Sequence, residues 1–242
     1  MDITKITRPA RKVLNVKLKH CGAVIVAAGN ASRMGGIDKV MAPIGGEPMI
    51  VRTVRQFQNC DAIREIVVVT RPDLIVPIMD LCHDFSKLKA VVVGGDSRDA
   101  SVSLGLNTLS GKCKLVAVHD GARPFVSWQL IDRVVRAAHT YGAAAPAILV
   151  KDTFKVVSGG LVKTTPDRST LRAVQTPQVF DFDLLRGALK KAKQDGLAIT
   201  DDCSAVEAMG MSVKIVEGDE RNIKITTPLD LKLAEMILEE LQ

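Results

Sequence analysis

Ala23-Val24-Ile25-Val26-Ala27-Ala28-Gly29-Asn30-Ala31-Ser32-Arg33-Met34-Gly35-Gly36-Ile37-Asp38-Lys39 decides how this chain folds. Ala23–Ala28 is short, apolar and uncharged, with none of the polar alternation of a half-solvated strand. It therefore reads as a strand buried on both faces, the mark of a parallel sheet. The strand then gives way to small residues. Ala28, Gly29 and Ala31 let backbone N–H groups approach an anion, and Gly29 can take a positive φ. Arg33 and Lys39 add charge suited to a polyphosphate. The loop is not G-x-G-x-x-G, because Gly29-Asn30-Ala31 lacks the second glycine, and no G-K-[ST] of a Walker A loop follows. By itself the loop fits a tight turn as well as an anion grip.

The same rhythm continues outward. Ile66–Thr70, Ala90–Val93, Leu115–His119 and Ala144–Val150 read as further strands. Pro48–Gln58, Asp73–Asp84, Asp99–Leu109 and Ser127–Tyr141 read as the helices between them, with Pro48 in a first turn and Ser127 as an N-cap. Such alternation implies right-handed crossovers and a doubly wound, mostly parallel Rossmann-like α/β sheet. Ligands in that architecture sit beyond the carboxyl ends of the strands. Residues 151–175 break the pattern with a polar stretch holding Gly159-Gly160 and Pro166, expected as a protruding β-hairpin arm that turns near residues 158–160. Helices are expected again at Phe182–Gln194 and Asp202–Met209, a strand at Val213–Val216 and a closing helix at Pro228–Leu241. Residues 21–242 are thus expected to form a single domain.

Composition agrees. The 242 residues are 47% hydrophobic but only 3% aromatic, so core volume must come from Val, Ile, Leu and Ala. No apolar run approaches the roughly 18 residues of a membrane span, and no signal-peptide pattern opens the chain. Five scattered cysteines without a C-x-x-C favour free thiols in a reducing cytosol over zinc or disulfides. A cytoplasmic protein is expected. The formal net charge is +6, and residues 1–20 carry most of it, with Lys5, Arg8, Arg11, Lys12, Lys17 and Lys19 against Asp2 alone. The favoured reading of that basic extension is a solvated segment outside the core, so neither nucleic acid nor a membrane is expected as a partner.

Two later strand ends carry chemistry. Leu115–His119 runs into Asp120-Gly121-Ala122-Arg123-Pro124. A carboxylate there can hold Mg²⁺ against phosphate oxygens, and Arg123 can pair with a second phosphate. Alone, Asp120 fits a turn cap too. Ala90–Val93 leads into Gly94-Gly95-Asp96-Ser97-Arg98-Asp99-Ala100-Ser101. Glycines here permit backbone contact with a base, although a capped helix N-terminus would look the same.

Taken together, Ala27-Ala28-Gly29, Arg33-Met34, Lys39, Gly94-Gly95-Asp96-x-Arg98-x-x-Ser101, His119-Asp120-x-Ala122-Arg123-Pro124, Asp152-Thr153, Asp167-Arg168, Thr176-Pro177-Gln178, Thr200-Asp201 and Asn222-Ile223-Lys224 occur in one order. From about residue 21 to the end the chain resembles the 2-C-methyl-D-erythritol 4-phosphate cytidylyltransferase family. The resemblance implies a fold of the nucleotide-diphospho-sugar transferase type and transfer of CMP from CTP to a small sugar-alcohol phosphate. It implies that Ala28, Gly29, Gly95 and Ser101 hold cytosine and ribose, with Asp96 and Arg98 bracing that pocket. Arg33, Lys39 and Lys224 would carry catalysis on the phosphates, and Asp120 would sit by the ribose and hold Mg²⁺ or another divalent cation. Arg123, Thr153, Arg168, Thr176 and Thr200 would line the acceptor site. The arm would cross to a second subunit of a homodimer, bringing Thr153, Arg168 and Thr176 in trans.

The chain departs from the family where Asp38 and Val40 flank Lys39 in place of the usual Pro and Gln, and where Ala31 replaces a usual glycine. Asp38 sets a negative charge beside the expected phosphate grip. The implied chemistry is in-line displacement at the α-phosphorus by an acceptor phosphate that is already anionic. No strong base is required, and none of the four histidines is a convincing one. The nearest rival is a ribitol-5-phosphate cytidylyltransferase, with the same chemistry and another acceptor. The Ala-Ala-Gly loop opening, Ala122 and Asn222-Ile223-Lys224 favour methylerythritol phosphate. A dinucleotide oxidoreductase would need the missing glycine and an acid after the second strand, which instead ends Val69-Thr70-Arg71. A noncatalytic nucleotide-binding protein is the remaining alternative.

Overall fold

The computed structural model describes residues 19–29 and 38–241. The chain enters at β1 (Cys21–Val26), makes the small hairpin β2 (Pro43–Ile44) and β3 (Glu47–Pro48), and continues through α1 (Met49–Gln58) to β4 (Ile63–Thr70). A 3₁₀ turn at Pro72–Leu74 precedes α2 (Ile75–Leu81), followed by β5 (Leu88–Val93), α3 (Arg98–Thr108), β6 (Leu115–Asp120), α4 (Trp128–Tyr141) and β7 (Ala143–Leu149). The arm holds β8 (Val156–Ser158) and β9 (Leu161–Thr164). After it come β10 (Arg172–Val174), β11 (Gln178–Asp181), α5 (Phe182–Gln194), α6 (Asp202–Glu207), β12 (Lys214–Glu217) and α7 (Pro228–Glu240).

β5, β4, β1 and β6 lie side by side and parallel. From β1 the chain steps outward to β4 and β5, then returns to place β6 on the other side of β1. That reversal opens a crevice at the carboxyl ends of β1 and β6. Beyond β6 the sheet is mixed. β11 pairs antiparallel with both β6 and β7, β10 pairs antiparallel with the far half of β7, and β12 adds parallel to the other edge of β7. Because β11 and β12 both pair at Ala144, and β10 and β12 both at Ala147, β10 and β11 share one side of β7. They form one interrupted strand, broken around the cis Thr176-Pro177 peptide.

The unbroken apolar strands supply both faces. Ala23, Ile25, Val68 and Ala117 pack under α1, α2 and α4, while Val24, Val67, Val69, Val116 and Val118 pack under α3, α5 and α6. The sheet is doubly wound, as expected. A third cluster seats α7 through Ala234 and Ile237 on Ile44, Met49, Phe125 and Ile225. Ser127 caps α4 by accepting the Leu130 N–H, and Gly142 ends it at φ 82°. Pro48 sits one residue before α1 and not in its first turn. The helix expected over Asp73–Asp84 is shorter, because Pro72 opens a 3₁₀ turn first. In the arm, Gly159 and Gly160 take φ 59° and 77° between β8 and β9, a left-handed pair suited to a two-residue hairpin turn. Residues 1–18, nearly all of the basic extension, lie outside the described residues. Among the described residues, no helix is long and apolar enough to cross a membrane.

Candidate active site

A cavity of about 580 Å³ opens at the carboxyl ends of β1, β4, β5 and β6. Its wall comes from four strand ends: Ala28 and Gly29, Thr70 and Arg71, the segment Gly94–Arg98 with Ser101, and Asp120. Lys39, Val40 and Lys224 close it. Glycine is required on one side. A Cβ on Gly94 would lie 2.5 Å from the Ala28 Cβ and 2.9 Å from the Ser101 Oγ, and one on Gly95 would lie 2.6 Å from the Ala100 Cβ. Ser97 caps α3 by accepting the Ala100 N–H. Ser101, one turn on, donates to the Ser97 carbonyl at 2.9 Å and accepts the Gly95 N–H at 3.1 Å. The helix thereby fixes the glycine pair in the cavity wall.

Asp120 lines the same cavity, buried at 9% exposure among three cations. Lys224 Nζ lies 2.9 Å from one carboxylate oxygen, and the Nε atoms of Arg98 and Arg123 lie 3.7 Å from the carboxylate. Burial by itself would raise this carboxyl. Lys224, Arg98 and Arg123 outweigh it and bring it down to about 2, so Asp120 is ionised at neutral pH. Arg98 is shared, since its Nη2 donates to the buried Asp202 at 2.7 Å. Burial holds the Asp202 carboxyl above its ordinary value despite that contact.

Lys224 reaches Asp120 because Asn222 is buried and tied down. The Asn222 Nδ2 donates to the Thr176 carbonyl at 2.9 Å, and its own carbonyl accepts from Arg123 at 2.7 Å. A second chain of bonds fixes Asp120 from behind. The Asp120 N–H donates to the Thr176 hydroxyl at 3.1 Å, that hydroxyl donates to His119 Nδ1 at 3.0 Å, and His119 Nε2–H donates to the Arg123 carbonyl at 3.2 Å. This sequence of donors is the one a neutral His119 makes. Burial enforces it, pushing the imidazole down to about 4 even though Asp120 pulls the other way. His119 thus links Arg123 to Thr176 and, through the Thr176 hydroxyl, to Asp120.

Of the residues picked from the sequence, Ala28, Gly29, Lys39, Gly95, Asp96, Arg98, Ser101, Asp120 and Lys224 meet in this cavity. Arg33 lies outside the described residues. Arg123 stands behind Asp120. Thr153 and Arg168 are exposed on the arm, and Thr200 is exposed before α6. Thr176 is buried, its hydroxyl engaged by His119 and Asp120. Asp38, expected to weaken the phosphate grip, is paired with Arg71. Val40 is buried under α1 and completes the core. Sequence reading missed Arg71, Asp202 and the linking part of His119. For Arg71 the available signal is its place directly after a strand.

A doubly wound sheet whose switch-point cavity gathers cations about one ionised carboxylate suits a nucleotidyltransferase. The family model described as 2-C-methyl-D-erythritol 4-phosphate cytidylyltransferase matches residues 21–240, and the chain belongs to that family. Proteins of that name from Geobacillus kaustophilus and Caldanaerobacter subterraneus subsp. tengcongensis are 47% and 42% identical. The alignments cover 89% and 90% of this chain, and 96% and 99% of theirs. A 4-diphosphocytidyl-2C-methyl-D-erythritol synthase structure from Anaerococcus prevotii superposes with a TM-score of 0.83 at 31% identity, covering 91% of this chain and 96% of its own. The 2-C-methyl-D-erythritol 4-phosphate cytidylyltransferase of Thermus thermophilus does so with 0.75 at 36% identity, covering 89% and 98%.

Proposed function

We propose that this chain joins CMP from CTP to 2-C-methyl-D-erythritol 4-phosphate and releases pyrophosphate. The observation that carries the reading is the meeting of Lys39, Arg98 and Lys224 with ionised Asp120 in a glycine-walled cavity, in a member of this family. An acceptor phosphate oxygen attacks the α-phosphorus, the bond to the bridging oxygen of the β-phosphate breaks, and pyrophosphate leaves in line. The attacking oxygen is already anionic, which suits a site whose one buried histidine is neutral and committed elsewhere. The protein then contributes position and charge. Gly95 and Ser101 hold the base, and Lys39 and Lys224, with Arg33, offset the negative charge that builds at the phosphorus.

A divalent cation, Mg²⁺ above all, is part of the proposal. Among the described residues no three His, Cys, Asp or Glu side chains gather as a metal cage. Mg²⁺ does not need one, since it is held by one or two carboxylates plus substrate phosphates. Asp120, ionised at a strand end that faces the cavity, fits as that carboxylate. The ion would supply charge neutralisation on the phosphate oxygens.

The homodimer is proposed on the arm. Leu161 is 69% exposed, and Phe154, Val157 and Val162 are more than half exposed, an apolar surface that suits a second copy of the chain. Thr153 and Arg168 would then reach the partner's acceptor site, with Thr200 and Arg123 on the near side. Thr176 would act by holding His119 and Asp120. The deciding assay offers methylerythritol phosphate and ribitol 5-phosphate in turn, with CTP and Mg²⁺, and follows pyrophosphate. Faster release with methylerythritol phosphate is expected. Equal or faster release with ribitol 5-phosphate would overturn the acceptor, and CTP binding without release would make the protein a noncatalytic binder.

A further inference from the structure

We infer that Arg71 is a positioning residue for Lys39 and acts through Asp38. The inference rests on the nucleotide reading of the cavity. Arg71 follows directly on β4 and lies in the cavity wall, and its Nε and Nη2 are engaged by carboxylates. It pairs with Asp38, and again with Asp73 at 3.2 Å. One cation between two carboxylates leaves a formal charge of −1, so this group adds no attraction for a polyphosphate. Its partners make it a tether.

Asp38 uses both carboxylate oxygens. One meets Arg71, and the other accepts the Val40 N–H at 3.2 Å, closing a turn around Lys39. On the far side of Lys39, Val40 is buried and its carbonyl accepts the Ile50 N–H at 2.9 Å, while the Lys39 carbonyl accepts the Ala42 N–H at 3.3 Å. The lysine is therefore held from α1 on one side and from the end of β4 on the other. That strand end is itself fixed to β1, since the Ala27 N–H donates to the Val69 carbonyl at 2.7 Å and the Thr70 hydroxyl to the Ala27 carbonyl at 3.4 Å. Lys39 is thus referenced to the same strand ends that floor the cavity. The Asp38–Arg71 pair is partly exposed, and such pairs add little to stability. Its effect is on where the lysine stands.

A residue that aims a transition-state donor should act on kcat, whereas a direct phosphate ligand should act on KM. The test compares unmodified protein with Asp38→Ala, Arg71→Ala and the double variant, measuring kcat, KM for CTP and Tm. Each single variant is expected to lose about 10- to 100-fold in kcat, with KM for CTP and Tm little changed. The double variant should be no worse than either single one, because both break the same tether. Unchanged kcat in Asp38→Ala, or a raised KM at unchanged kcat in Arg71→Ala, would overturn the inference and make Arg71 a phosphate ligand or a bystander. If the unmodified protein releases no pyrophosphate with CTP and methylerythritol phosphate, the nucleotide reading itself fails and takes the inference with it.

Discussion

Lys224 stands closest to the carboxylate of Asp120, and that one contact links the last loop of the chain to the centre of the sheet. A cation aimed at a developing oxyanion is worth roughly 100- to 1000-fold in turnover. Lys224→Ala and Lys39→Ala are each expected to lose at least that order in pyrophosphate release, with the fold intact by circular dichroism. Turnover near that of the unmodified protein in either variant would remove it from the catalytic role. His119 gives a different prediction, on stability. Its imidazole is pushed from 6.5 down to about 4 in the folded chain, chiefly by burial. Between those values the unfolded chain binds a proton that the folded one refuses. Stability therefore falls as pH drops from 6.5 toward 4, by roughly 3 kcal/mol if the whole difference is expressed. His119→Asn, unfolded in urea without metal or nucleotide at pH 7 and pH 5, should show a shallower loss over that interval than the unmodified protein. Equal slopes would mean that His119 does not set the acid limb.

At the scale of elements, α3 shows how tightly the site is bound to the sheet. Gly105 faces β1 and β4, and a Cβ there would overlap the Val24 side chain and come to 3.0 Å from the Val69 Cγ2. The helix can lie that close only because the residue is glycine, and Ser101 one turn earlier is thereby held against Gly95. Gly105→Leu should push α3 outward. It is expected to cost about 1–3 kcal/mol in urea unfolding and to weaken CTP binding by calorimetry. Loss of stability with unchanged CTP affinity would uncouple the helix from the cavity. The alternation of strands and helices was legible because buried parallel strands are uniformly apolar, as Val24 through Val26 and Val67 through Val69 show. β10 and β11 were not, since they are short, polar at Arg172 and Gln178, and interrupted by Pro177. They are held by pairing with β6 and β7, which no local pattern records. The site divides the same way. Gly95 and Asp120 stand at or just after strand ends and were readable from that rule, whereas the part of Ser101, inside α3, came only from the resemblance. The partner of Asp38 lies 33 residues away, so adjacency to Lys39 showed the charge but not the Arg71 that holds it.

At the scale of the whole molecule, the proposed homodimer makes a prediction about the arm. Cavity residues gather at the switch point, while Thr153 and Arg168 stand away from it on an exposed apolar hairpin. If they belong to the acceptor site, a partner's arm must deliver them. Complementation distinguishes this from action within one subunit. Lys224→Ala lacks a core residue and Arg168→Ala an arm residue, so each is expected to be nearly inactive alone. When the two are mixed and allowed to exchange subunits, half of the dimers are mixed pairs. In each pair the Arg168→Ala core, with Lys224 intact, receives the intact arm of the Lys224→Ala chain, and the other site carries both defects. One intact site in each mixed dimer predicts recovery to about a quarter of unmodified activity. Recovery should follow the kinetics of subunit exchange and vanish if the two homodimers are cross-linked before mixing. If Arg168 instead serves its own subunit, every site keeps one defect and mixing restores nothing. A chain that sediments as a monomer at assay concentration while fully active would exclude the arrangement by a separate route.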